Sequence, residues 1–164
     1  MIDQTHLHLL SNHLPLFGSL MGLIVLGYGI WKRSNHTKMA AYIVLIVSSI
    51  GAVVAYLTGP AAADTVKDLQ GVSKEALEVH AQAAQFAFYA FIIVALFSLI
   101  GIYVTQKRPL RARMFGFIVL FISLWAFAVV ARTAYVGGQI RHSEIRGDAP
   151  AQDDVKKPDG SGEY

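Results

Sequence analysis

Residues 81–105 read AQAAQFAFYAFIIVALFSLIGIYVT, a run without a single formal charge. A transmembrane helix needs about 20 predominantly apolar residues to cross a hydrocarbon core roughly 30 Å thick. This run is longer than that. Its backbone N–H and C=O groups would find no water in lipid and must bond to one another, which predicts a helix. The polar residues before it supply a start signal. Ser73 stands where an N-cap belongs, and Glu75 and Glu78 suit the positive end of the helix dipole. A helix running from residue 74 to 105 would be about 48 Å long and would protrude from the bilayer on one side.

Three further windows have the same character: 14–31, 39–57 and 114–136, the last carrying one charge, Arg132, near its end. Hydrophobic residues make up 54% of the chain and charged residues 15%, well short of the quarter usual in soluble domains. The chain is therefore read as all-α: an integral membrane, up-down-up-down four-helix bundle over residues 1–142. Residues 143–164 are polar, have no apolar period and are expected to be disordered. Residues 1–13 contain no Lys or Arg, and Lys32 and Arg33 follow the first apolar run instead. That order predicts a retained anchor rather than a cleaved signal. With no cysteine, disulfides, thiolate metal sites and covalent haem attachment are excluded.

The charges sort by side. Lys32, Arg33 and Lys38 lie between spans one and two; Lys107, Arg108, Arg111 and Arg113 lie between spans three and four. Neither loop has an acidic residue, and all 11 acidic residues fall on the other side. The positive-inside rule places both basic loops in the cytoplasm. The middle loop and both termini then face outward, toward the periplasm if the chain sits in a bacterial inner membrane. The net charge of +3 is thus explained by orientation, and no nucleic-acid partner is expected. In the middle loop, Thr58-Gly59-Pro60 reads as a helix stop, and residues 61–70 as a short extra helix ended by Gly71. Gly18, Gly22 and Gly29 share one helical face, which suits close helix packing.

Five of the six histidines, His6, His8, His13, His80 and His142, map to the outward side; His36 lies in a basic loop. Imidazole ligates haem iron, copper or zinc and relays protons. Ala83, Ala84 and Ala87 share the helical face of His80 and would leave room for a flat macrocycle or for tight helix packing. Counted from the basic anchors Lys32 and Lys107, His13 is 19 residues up its helix, His8 24 and His80 27. At 1.5 Å per residue, His13 falls roughly 12 Å below His80. Two levels emerge: His13 with Arg132, and a higher one with His8 and His80. Arg132 either snorkels to water or pairs with an anion such as a haem propionate or lipid phosphate. No zinc-protease or serine-hydrolase signature occurs, and no charge lies mid-span as a proton pump would need.

The segment His8-Leu-Leu-Ser-Asn-His13-Leu-Pro15 resembles the His-Pro-x-x-x-His-Phe-Pro signature of a family of small bacterial four-helix membrane proteins, catalogued as a domain of unknown function. Leu57-Thr58-Gly59, His80 and Tyr135-Val136-Gly137-Gly138 are similar to its pattern too. Leu9 stands where the signature has proline, and Leu14 where it has phenylalanine. The resemblance implies a four-helix bundle, an association with respiratory or cytochrome-containing systems, and His8, His13 and His80 as the residues to watch. The expectation is a multi-pass protein rather than a stand-alone enzyme. It would bind haem b through His13 and His80, with His8 as substitute ligand and Arg132 as anion partner, and serve electron transfer or anchor a redox partner. The alternatives are a cofactor-free subunit of a larger membrane complex, or a homo-oligomer, and a copper or zinc site on His6, His8, His13 and His80.

Overall fold

The computed structural model describes residues 3–69 and 71–141. Gln70, His142 and the tail at 143–164, for which disorder is expected, lie outside the described residues. The chain is an all-α four-helix bundle. Helix α1 spans Gln4–Ser11, α2 His13–Trp31, α3 Asn35–Val66, α4 Lys74–Lys107 and α5 Ala112–Gly138, with a single 3-10 turn at Pro109–Arg111 before α5. Four segments are long and apolar enough to cross a membrane: α1 with α2, α3, α4, and the 3-10 turn with α5. Around the bundle α2 touches α3, α3 touches α4, α4 touches α5, and α5 closes on α2. Helix α1 leans on the upper part of α3, where the hydroxyls of Thr5 and Thr65 meet at 3.1 Å.

The interior is built for close approach in lipid, where packing and hydrogen bonding hold helices together better than apolar burial does. Gly18, Gly22 and Gly29 of α2 face Ser48, Leu45 and Lys38 of α3, as their shared helical face predicts. A Cβ at Gly22 would fall 2.6 Å from the Leu45 side chain. Tyr42 packs on Gly101 in the same way between α3 and α4. Leu26, Tyr42, Leu45, Phe91, Val94 and Val119 are fully enclosed at the centre. Small hydroxyl residues (Ser19, Ser48, Ser98, Ser123) are buried, while Phe17, Phe86, Phe121 and Leu124 face outward. Small hydroxyls among the enclosed residues and large apolar side chains on the outside suit a lipid solvent.

The turn between α2 and α3 is fixed by hydrogen bonds. Ser34 N–H donates to the Gly29 carbonyl at 2.9 Å and Arg33 N–H to that of Ile30 at 3.3 Å, with Arg33 in the left-handed region at φ 54°. This is a Schellman motif, completed by a non-glycine residue. Ser34 then caps α3 by accepting from Thr37 N–H at 3.2 Å. Ser73 caps α4 as its sequence position predicts, accepting from Ala76 N–H at 3.1 Å.

Two expectations are corrected. Thr58-Gly59-Pro60 does not stop the second span, because α3 runs on to Val66. Residues 61–66 of the predicted short helix are instead the last turns of α3, and the extra short helix is α1. Proline removes one helical N–H and crowds the preceding turn, yet membrane helices tolerate it when side chains re-satisfy the freed carbonyls. The carbonyl that Pro60 leaves without a helical donor is that of Tyr56; in the turn before it the Thr58 hydroxyl donates to the carbonyls of Val54 at 2.8 Å and Ala55 at 3.3 Å, and His8 bonds that of Ala55. Lys38, read as a loop residue, lies in the first turn of α3 with its stem between Gly29 and Gly116.

Candidate functional site

His8 projects from α1 onto α3. Its Nδ1 lies 2.8 Å from the Ala55 carbonyl oxygen and 3.4 Å from the Thr58 hydroxyl. A carbonyl can only accept, so Nδ1 carries the proton in this contact. In the neutral ring Nε2 is then unprotonated, with its lone pair free. The ring also approaches Gly59, where a Cβ would stand 3.7 Å from Cε1. The turn just before Pro60 thus receives His8.

His80 repeats the arrangement on the other pair of helices. Its Nδ1 lies 3.1 Å from the Thr133 carbonyl oxygen of α5, and the same argument frees its Nε2. The ring packs on Gly137, where a Cβ would fall 3.0 Å from Cε1 and Nδ1. One turn below, the Thr133 hydroxyl donates across to the Ala83 carbonyl at 3.2 Å and back to that of Val129 at 2.9 Å. Ser73 N–H donates to the Ile140 carbonyl at 3.1 Å, tying the start of α4 to the chain just beyond α5. Both rings are half-buried.

His8 and His80 thus each bond a backbone carbonyl of a neighbouring helix. His13 is exposed on α2 with its ring 6.3 Å from that of Phe17. Helix α2 contacts α3 and α5, so His13 sits diagonally from the helix bearing His80. His6 is exposed on α1, and residues two apart on a helix do not share a face, so it does not join His8. His36 is exposed at the opposite end. Among the described residues no three His, Asp, Glu or Cys side chains gather in a way that could hold a metal ion.

Arg132 is exposed and opens onto a different feature. A groove of about 230 Å³ between α4 and α5 is lined by Ala83, Phe86, Trp125, Val129, Arg132 and Thr133. Next to it in sequence, Thr133 turns inward toward His80. Ala83 and Ala87 are buried at helix contacts, and Ala84 is half-buried.

Sequence reasoning missed the partners that orient the rings, because both are backbone carbonyls and carry no residue signature. The segments quoted for the family resemblance, Leu57-Thr58-Gly59 and Tyr135-Val136-Gly137-Gly138, contain the residues that the rings approach. No protein-family model, no curated protein and no solved structure matches the chain.

Proposed function

We propose that this multi-pass protein holds a haem-b-type redox cofactor through Nε2 of His8 and Nε2 of His80. The observation that carries the reading is the pair of Nδ1-to-carbonyl hydrogen bonds, one per histidine and each to a different helix. A ligating histidine commonly donates its other ring N–H to a carbonyl or carboxylate, which fixes the tautomer and the ring plane. The number of donors fits as well. Zinc takes three or four protein ligands, and two imidazoles fall short of that. A haem brings four nitrogens of its own, so one or two imidazoles would suffice to hold it.

The chain's own residues then have defined roles. His8 and His80 bind, Ala55 and Thr133 orient them through their carbonyls, and Gly137 leaves room for the His80 ring. Thr133 locks α5 to α4 beneath His80. When bound, such a group accepts and releases one electron at its iron. With the basic loops in the cytoplasm, the site would lie on the periplasmic side of an inner membrane. There it would pass electrons to, or anchor, a redox protein.

A second reading rests on the same hydrogen bonds. They join α1 to α3 and α4 to α5, which is also what a cofactor-free subunit of a larger membrane complex needs from buried polar side chains.

Absorption spectra of the detergent-purified protein, oxidised and reduced, separate the two. A Soret band that shifts on reduction and is lost in His8→Ala and in His80→Ala supports the haem reading. A colourless protein free of iron by elemental analysis overturns it and leaves the structural one. A reporter fused after Tyr164 tests orientation, and activity only in the cytoplasm would reverse the proposed topology.

A further inference from the structure

The groove beside Arg132 has the polarity of a lipid. Trp125 stands near the middle of α5, and Arg132 follows it by seven residues, about 10 Å along the axis toward the histidine end. The lower lining is apolar: Phe86, Trp125, Val129 and Ala83. Phe86 is 70% exposed and Trp125 52%, so the groove opens sideways onto the surface that faces bilayer. An occupant must arrive from the lipid phase. At the upper end the Thr133 hydroxyl already donates to Ala83 and Val129. Arg132 is left as the donor, and it has no hydrogen bond or ion pair among the described residues; the two ion pairs there are Lys67–Asp64 and Lys74–Asp68.

We infer that this groove holds one anionic phospholipid, an acyl chain along Phe86, Trp125 and Val129 and the phosphodiester on Arg132. A guanidinium remains charged at any working pH and matches a phosphate with paired N–H donors. A net-negative headgroup balances it. A zwitterionic head brings an ammonium group, and the groove lining has no carboxylate to receive it. This inference stands apart from the haem reading, since neither His8 nor His80 lines the groove.

The chain has two tryptophans, Trp31 at the basic end and Trp125 in the groove. Trp31→Phe therefore leaves Trp125 as the sole reporter. In nanodiscs of unlabelled phosphatidylcholine, a small and equal fraction of acyl-brominated phosphatidylglycerol or acyl-brominated phosphatidylcholine is added, and Trp125 fluorescence is read. The site predicts an apparent affinity about fivefold higher for the anionic lipid, the scale of one basic side chain at a membrane surface. Arg132→Gln should abolish the preference and Arg132→Lys should retain part of it, with melting curves confirming that each variant is folded. Equal quenching by the two lipids overturns the inference, as does a preference that survives Arg132→Gln. Added inorganic phosphate at constant ionic strength should leave the preference intact. If phosphate erases it, the guanidinium is a free-anion site and the lipid assignment fails.

Discussion

His8 Nδ1 stands 2.8 Å from the carbonyl oxygen of Ala55, so a side chain of the first short helix is bonded to the backbone of α3 one turn below Pro60. This bond lets structure and ligation be separated. Asparagine places its amide N–H near the position of Nδ1 but has nothing at the position of Nε2. His8→Asn should therefore keep stability within about 0.5 kcal/mol, whereas His8→Ala should lose about 1 kcal/mol for the missing hydrogen bond. Both should lose the cofactor spectrum, while His13→Ala keeps it. Thermal melts and absorption spectra on the three variants check this. A spectrum unchanged in His8→Asn would remove His8 as a ligand.

Two adjacent glycines make a matched pair. A Cβ at Gly137 would fall 3.0 Å from the His80 ring, and one at Gly138 would meet nothing within 4 Å. Gly137→Ala should destabilise by about 1–3 kcal/mol through overpacking and should disturb whatever His80 holds. Gly138→Ala, at the last helical position, should be neutral or stabilising by up to about 1 kcal/mol. Melting temperatures of the two variants in the same detergent decide it. Equal losses would mean that the His80 ring does not rest on Gly137.

How far the sequence reaches can be judged from particular residues. The charge-free windows located every span, and Ser73 located the start of α4, because burial in lipid and capping are local requirements. Thr58-Gly59-Pro60 misled for a reason that is not local. Its signal is the ordinary one for a helix stop, and the turn before it is held partly by His8, 47 residues away from Ala55 in sequence. Heights counted along the helices set His13 apart from a level holding His8 and His80. They gave no azimuth, so they did not show that His13 faces away from the bundle. Lys38 looked like one more basic loop residue. Its burial depends on Gly29 and Gly116 from two other helices, which no single segment reveals.

The α2–α3 turn offers a stability test at the other end of the molecule. Arg33 holds a left-handed conformation, φ 54°, that costs an L-residue roughly 1 kcal/mol and glycine almost nothing. Arg33→Gly should raise stability by about 0.5–1 kcal/mol, because the hydrogen bonds from Ser34 and Arg33 to the end of α2 are backbone bonds and persist. The measurement is denaturation midpoint in detergent. A drop would show that the guanidinium contributes more than the turn geometry costs. The same variant should not reverse insertion, since Lys32, Lys38 and the four basic residues of the second loop remain.

Lys38 poses the last question, because a lysine stem 2% exposed between Gly29 and Gly116 is an expensive way to fill space. The charge acting on it is another cation, Arg113, and no acidic residue lies in either neighbouring loop. A buried charge without a counter-charge usually costs more than an apolar side chain of similar volume. Methionine has that volume and bends to fit an irregular gap. Lys38→Met should therefore leave stability unchanged or raise it by about 1 kcal/mol, and should keep the packing of α2, α3 and α5. Lys38→Ala should instead lose about 2 kcal/mol or more, since it empties the channel between the two glycines. If both substitutions destabilise equally, the ammonium itself is bonded to something at that end of the bundle, and the stem is not the reason for the lysine.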